Sequence, residues 1–235
     1  MKTLLFLTIS LLSLHSFSGS YFHHENLGFS KDNKYYAFTQ FGEHDGAGHA
    51  DAWTWVVDVK KNKLIKVGQC DCDEMNQVKT IEEAKEESKL KANLKRYGFT
   101  KDKIIGQTML KRLPTDLNSS NKLDFRAIKY PDAPNFGQIF NLKLTQTSLG
   151  TNCYDLATPT LLKVELGKNE KFKVLQDDIS LPRARKCAYG YKVAEIVYEK
   201  DSDSLAIIIS YKTPGFEGAD TLYLVVTTKL DKLPY

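Results

Sequence analysis

The chain has 235 residues, of which 42% are hydrophobic and 26% charged, and its formal net charge is +4 at pH 7. So small a charge argues against nucleic acid or an anionic membrane as a partner, since both require basic residues gathered on one face. Lys and Arg instead alternate with Asp and Glu along most of the chain. The length allows one core of ordinary size.

The N-terminus has the pattern of a cleavable secretory signal peptide, residues 1–18. Lys2 precedes an uncharged apolar run, Leu4 to Leu14, which is too short to span a bilayer as a helix. Small residues then allow cleavage after Ser18 or after Ser20, and we predict the former. Residues 19–235 would form a single secreted domain, periplasmic or extracellular, with no later transmembrane segment. A retained N-terminal anchor is the alternative.

The mature chain reads mainly as β-strands. Residues 28–38 predict two strands joined by a turn at Asp32-Asn33, and Ala52 to Val59 predicts the next strand. After Lys103 the strand pattern returns. The further predicted strands lie at 123–129, 138–147, 161–166, 172–176, 191–199, 205–211 and 221–228.

One helix is predicted at about 80–97. Thr80 and Glu83 form a capping box, and Gly98 stands where a helix stops. Glutamates crowd its first half and basic residues its second, which matches the helix dipole. Because its apolar positions are split between two sides, we expect the helix to lie across the surface with part of its length buried.

An internal repeat is visible when the sequence is shifted by 169 positions. Residues 29–64 then align without a gap with residues 198–233. This favours a duplicated strand unit in equivalent structural positions. We therefore predict a mainly β (α+β) fold, an antiparallel sheet or sandwich domain with one inserted helix. The alternative is a propeller-like fold with repeated strand units. Only two such units can be recognised in the sequence, whereas closed propellers need at least four blades.

Three stretches resemble a bacterial family of predicted secreted proteins of uncharacterised function. They are Gly28 to Val59, Leu181 to Tyr191, and Pro214 to Asp220. The resemblance implies export and a single-domain architecture, and it brings no activity, substrate or catalytic residue. The chain departs from that family at His44 to His49.

Four cysteines remain after signal cleavage. An even count in an exported protein favours disulfides over free thiols. We predict a bond between Cys153 and Cys187, which leaves Cys70 and Cys72 either bonded to each other or free. A zinc site is the weaker interpretation, since a second closely spaced pair is missing.

The densest polar cluster is the loop from Glu43 to Asp51. Its histidines and carboxylates are residue types that hold a divalent metal or act as a general base, but their spacing matches no metal motif. A solvated hairpin connection is the commoner interpretation. If the repeat-related loop at 214–220 lies at the same end of the domain, the two loops form an acidic ligand site. The candidate binding residues are His44, Asp45, His49, Asp51, Glu217 and Asp220.

The sequence contains no recognised catalytic, metal or cofactor motif, so none of these is assigned. Trp53 and Trp55 point to one face of their strand, where they either stack on a sugar or peptide or fill a core. We predict an exported, non-enzymatic binding or envelope-associated protein, whose partner is an unknown protein or small ligand. The alternatives are a metal-assisted hydrolase using the His44–Asp51 loop and a structural β domain.

Overall fold

The computed structural model describes residues 20–43, 49–70, 72, 79–100, 104–113, 121–128, 137–154, 157–215 and 218–233. These residues contain one α-helix, α1 (Ile81–Ala92), and twelve strands. The strands are β1 (His23–Phe29), β2 (Tyr35–Glu43), β3 (Ala50–Asp58), β4 (Lys63–Gln69), β5 (Gln107–Lys111), β6 (Lys122–Ala127), β7 (Gln138–Ser148), β8 (Thr160–Lys168), β9 (Lys171–Asp177), β10 (Tyr189–Glu199), β11 (Ser204–Pro214) and β12 (Ala219–Lys229).

The described strands form three four-stranded antiparallel sheets. The N-terminal sheet has the order β1-β2-β3-β4, the distal sheet the order β6-β7-β8-β9, and the central sheet the order β12-β11-β10-β5. The predicted mainly β domain with an inserted helix is therefore confirmed. These strands show no closed ring, so the propeller-like alternative does not describe the fold.

Strand β11 shows how the sheets are stacked. Leu205, Ile207 and Ile209 share a buried cluster with side chains of the distal sheet. Ala206 and Ile208 point to the opposite face and share a cluster with side chains of the N-terminal sheet. The central sheet is therefore covered on both faces, which explains the unbroken apolar run from Leu205 to Ile209.

Helix α1 begins at the predicted place but ends earlier. Both bonds of the capping box between Thr80 and Glu83 are present. The predicted end at Tyr97 is wrong, because Asn93 adopts a left-handed conformation with φ 54° and closes the α-helix. A 3₁₀ helix, Leu94–Tyr97, follows and ends at Gly98. None of the helices in the described part of the chain is long and apolar enough to cross a membrane.

The helix packs closely on the N-terminal sheet through small side chains. Ala84, Ser88 and Ala92 are its buried residues. A Cβ atom at Gly68 of β4 would overlap the Ser88 carbonyl, so glycine permits this close approach. The hydroxyl of Ser88 also bonds the Thr54 hydroxyl at 2.8 Å between the two layers.

The four cysteines form two disulfides. Cys153 and Cys187 are bonded with their Cα atoms 5.7 Å apart, which confirms the preferred pairing. Cys70 and Cys72 are bonded to each other across a Cα separation of 5.3 Å.

The strands of the two repeat copies begin 169 positions apart: 35 and 204 for β2 and β11, and 50 and 219 for β3 and β12. The first hairpins share a register, since Phe29 pairs with Tyr36 as Tyr198 pairs with Leu205. The second hairpins differ by two residues, a shift that keeps every side chain on its face. The duplication itself stays a prediction.

Candidate functional site

The six predicted binding residues are only partly within the described structure. His44, Asp45 and Glu217 lie outside the described residues, whereas His49, Asp51 and Asp220 lie within them. Among the residues described, no group of three or more His, Cys, Asp and Glu side chains is placed to hold a metal ion. The acidic ligand site and the metal-assisted hydrolase that would use the His44–Asp51 loop therefore stay predictions.

The described members of the predicted site flank the N-terminal stretch of the fold. The His49 Nε2 atom is 3.9 Å from the Asp51 Oδ2 atom. Asp220 accepts a 2.9 Å hydrogen bond from the Ser20 backbone N–H. Gly42, which pairs with Asp51, lies so close to Tyr21 that a Cβ atom would be 3.0 Å from the Tyr21 carbonyl oxygen. The two hairpin ends thus both approach residues 20–22.

A cleft that the sequence analysis did not predict opens at one end of the central sheet. On β11, Ala206 and Ile208 lie under the N-terminal sheet, and Ser210 and Lys212 continue the same face into the cleft. The side chains change from apolar to polar where the cover ends. That change along alternate positions of one strand is the sequence signal that points to an open face.

Four cationic side chains line this cleft, which has a volume of about 300 Å³. They are Lys111, Arg112, Lys192 and Lys212, and the described residues that line the cleft include no Asp or Glu. We call this feature the cationic cleft. Its cations come from the end of β5, from β10 and from β11, which are adjacent strands.

Irregularities in β10 shape the cleft. Its pairing with β11 shifts between Tyr189 and Lys192 and again between Val193 and Glu195, which leaves Ala194 as an extra residue. The Ala194 carbonyl accepts a 2.8 Å hydrogen bond from the Arg112 backbone N–H. This bond holds the chain leaving β5 beside the bulge, so Lys111 and Arg112 stand at the cleft.

A buried histidine–carboxylate pair lies behind the cleft wall. The His24 Nε2 atom is 2.9 Å from Glu195 Oε2, and the Thr108 hydroxyl donates a 2.6 Å bond to Glu195 Oε1. Burial raises the pKa of Glu195, but the bonds from His24 and Thr108 and the charge of Lys111 outweigh it, so the pKa lies below its usual value. Both carboxylate oxygens are thus engaged: the His24 contact joins the N-terminal and central sheets, and the Thr108 bond lies within the central sheet.

Aromatic side chains form another wall of the cationic cleft. The rings of His24 and Tyr223 are 4.6 Å apart, and those of Tyr21 and His23 are 5.0 Å apart. Burial, together with a hydrogen bond to Tyr21, raises the pKa of Tyr223 well above its usual value. Tyr21 itself is 38% exposed, so this wall presents an aromatic side chain to solvent.

The predicted aromatic pair on β3 has a structural role. Trp53 and Trp55 pack against the core between the N-terminal and central sheets. Their rings lie 5.4 Å from Phe22 and 6.3 Å from Phe38, respectively. Of the two interpretations of these tryptophans, the structure therefore supports the filling of a core.

The stretch around Leu181 to Cys187 contributes to a buried ion pair between Arg185 and Asp178. The Arg185 guanidinium donates bonds of 2.8 and 2.9 Å to the two oxygens of Asp178 and a third, of 2.9 Å, to the Tyr191 hydroxyl. The Asp178 side chain is 1% exposed. These contacts fix the connection between β9 and β10.

The chain matches a protein-family model. The model of DUF2259, a family described as predicted secreted protein, matches residues 37–229. Neither the comparison with curated proteins nor that with solved structures found a match.

Proposed function

This chain belongs to the DUF2259 family of predicted secreted proteins, and from that premise we propose that it is an exported, non-enzymatic binding protein for a small anion. The cationic cleft would be its site. The observation that carries the proposal is the convergence of Lys111, Arg112, Lys192 and Lys212 on a cleft without a carboxylate among its described lining residues.

The arrangement of the cations favours a bound anion. Lys192 pairs with Ser210, and Lys212 stands two positions further along β11 on the same face. Such diagonal neighbours have Cα atoms about 7–8 Å apart, close enough for like charges to repel. An anion between them would turn this repulsion into two attractive interactions, which a concave site strengthens by limiting access of water.

The nearby acid offsets part of the charge of Lys111, but it does not present its oxygens to the cleft. Glu195 binds His24 and Thr108 with its two oxygens, and its side chain is 2% exposed. A ligand in the cleft therefore meets the lysine and arginine side chains rather than a competing carboxylate. The same engagement supports a structural role for this histidine and carboxylate, in place of a general acid or base.

NMR titration of the mature protein with inorganic phosphate and with glucuronate tests the proposal. We expect backbone shifts centred on residues 190–194 and 210–212, and binding that weakens as the salt concentration rises. The double variant Lys192→Gln/Lys212→Gln should weaken binding of both anions by about tenfold or more.

Lys31→Gln is the matched control, since Lys31 is exposed in the turn between β1 and β2. It removes one positive charge at the far end of the N-terminal sheet and should leave affinity unchanged. Shifts centred on another surface, or equal affinity in the double variant and the wild type, would refute the proposed site.

A further inference from the structure

Resting on this proposed function, we infer that the ligand of the cationic cleft is an acidic sugar: its carboxylate binds the lysines while its ring lies against Tyr21 and Tyr223. The inference depends on three kinds of side chain on one small surface. They are cations, hydroxyls and aromatic rings, and each recognises a different part of such a sugar.

The cleft floor is a patch of the central sheet with a defined register. In one row, Lys192 of β10 pairs with Ser210 of β11, which pairs with Tyr223 of β12. In the next row, Lys212 pairs with Thr221. Because neighbouring strands lie about 4.8 Å apart, the first row places a cation, a hydroxyl and an aromatic ring across about 10 Å. This is the scale of one sugar ring with its substituents.

The hydroxyls of the floor suit a ligand with hydroxyl groups. A serine or threonine hydroxyl has one donor hydrogen and two acceptor lone pairs. The Ser210 hydroxyl makes a 3.4 Å bond to the Lys192 carbonyl, which uses its hydrogen and leaves its lone pairs available to accept. Sugar hydroxyls donate and accept equally well, so they satisfy such positions without a penalty for desolvation.

The aromatic wall suits the apolar face of a sugar ring. Tyr21 is braced by His23, whose ring in turn lies 5.8 Å from that of Phe41. A braced, half-exposed ring loses little conformational freedom on binding, while its phenol group can still bond with water or ligand. A volume of about 300 Å³ is at the lower end for ligand pockets and favours one or two rings over a long glycan.

Simpler anions and neutral sugars would leave part of this surface unused. Phosphate does not engage the aromatic wall, and an aromatic acid covers Ser210 and Thr221 without offering their hydroxyls a hydrogen bond. A neutral sugar would remove water from the lysine ammonium groups without supplying a negative charge to compensate. An acidic sugar engages all three groups at once.

Isothermal titration calorimetry with four probes separates these ligands. Glucuronate and glucose share a ring and differ in the acid group, phosphate supplies charge without a ring, and benzoate supplies a charged ring without hydroxyls. We expect glucuronate to bind at least about tenfold more tightly than each of the other three. Phosphate or benzoate binding as tightly as glucuronate would overturn the acidic sugar and leave the anion site standing. No binding of any anion would overturn both.

Two variants assign the recognition to residues. Tyr21→Leu should weaken glucuronate several-fold with no change in phosphate affinity, and Ser210→Ala should weaken glucuronate but not benzoate. Circular dichroism and urea unfolding of each variant confirm that the fold is retained. Equal losses of affinity for all probes would show a general disturbance of the cleft and contradict sugar recognition. The control variant Lys31→Gln should bind every probe as the wild type does.

Discussion

The two faces of the central sheet differ in how far their apolar cover extends. On β11, the side chains facing the distal sheet, Leu205, Ile207, Ile209 and Tyr211, are all buried in one cluster. On the opposite face, the buried apolar series stops at Ile208, and Ser210 follows in the cleft. One strand thus completes a core on one side and contributes to a cleft on the other. The cleft lies where the N-terminal sheet stops covering the central sheet.

Each face also has a buried pair of an acidic and a basic side chain, and the two pairs differ in their basic partner. On the distal side, Asp178 binds Arg185, whose guanidinium is always charged. On the N-terminal side, Glu195 binds His24, which carries a charge only when protonated. The permanently charged pair lies beside the complete core, and the histidine–carboxylate pair lies beside the cleft.

The largest effect is expected from Asp178→Asn. This change leaves the buried Arg185 guanidinium without its carboxylate, and loss of one partner of a buried pair costs about 3–5 kcal/mol. Urea unfolding at neutral pH measures the loss. Asp177→Asn, at the exposed neighbouring position, should change stability by less than about 0.5 kcal/mol. Similar stability of both variants would mean that the Arg185 contacts contribute little.

The pH dependence of the stability difference between wild type and Asp178→Asn follows from the direction in which the Asp178 pKa is shifted. Burial raises the pKa of Asp178, but Arg185 and Gln176 outweigh it, so the folded-state pKa is lowered. A lowered folded pKa gives stability that is complete above the unfolded value of about 3.9 and is lost as the pH falls through the folded value. Between pH 5 and 8 the difference between wild type and Asp178→Asn should therefore stay constant within about 0.5 kcal/mol.

The next effect compares the two faces directly with Ile207→Ala and Ile208→Ala. Both side chains are 0% exposed, and they point to opposite faces. Each truncation should lower the free energy of unfolding by about 3 kcal/mol, within the range for buried isoleucine. Glucuronate affinity of the folded variants should be unchanged, since neither side chain lines the cleft. A loss below about 1 kcal/mol for Ile208→Ala alone would show that the N-terminal face is loosely packed.

A smaller effect is expected from Glu195→Gln. The amide keeps an acceptor for Thr108 but removes the charge opposite His24, a loss of about 2 kcal/mol near neutral pH. Because the folded-state pKa of Glu195 is lowered, its contribution is present above the unfolded value of about 4.3 and disappears as the pH falls through the folded value. Urea unfolding from pH 3 to 7 should show the two proteins converge at the acid end. A constant difference would contradict the proposed ionisation.

The features that could be predicted from the sequence were local ones. The capping box at Thr80 and the strand segments depend on residues a few positions apart, and the structure confirms them. The end of α1 was missed because Gly98 is a stronger stop signal than Asn93, although asparagine also adopts the left-handed conformation that ends the helix here. The disulfide between Cys153 and Cys187 could be preferred because few pairings were available.

The cationic cleft could not be predicted, because its parts are distant in the sequence. Lys111 and Lys192 are brought together by the pairing of β5 with β10. In the sequence, all four strands of the distal sheet lie between these two strands. No sequence motif indicates that long-range pairing. Because positive and negative residues are mixed along the chain, the sequence also does not show the local excess of positive charge that the fold creates. The bulge at Ala194 depends likewise on tertiary contacts.

The smallest effect concerns the segment that completes the aromatic wall. Ser20 is 5% exposed; its N–H binds Asp220, and its carbonyl accepts a 3.2 Å bond from the Thr221 N–H. We therefore expect the exported chain to begin at Gly19, since cleavage after Ser20 would remove both bonds. Asp220→Ala should lower stability by about 1 kcal/mol, whereas Asp201→Ala, in an exposed turn, should have no effect.

Intact-mass measurement of the exported protein gives the N-terminus, and urea unfolding gives the two stabilities. A chain that begins at Tyr21 and is insensitive to Asp220→Ala would contradict the prediction. The outcome also bears on the cleft, because a chain beginning at Tyr21 would carry a charged α-amino group directly beside the aromatic wall. An N-terminus at Gly19 instead keeps Tyr21 as an internal residue, paired with Thr221 at the edge of the central sheet. The position of cleavage would thus decide whether Tyr21, whose ring would contact the sugar, is fixed by the backbone on both of its sides.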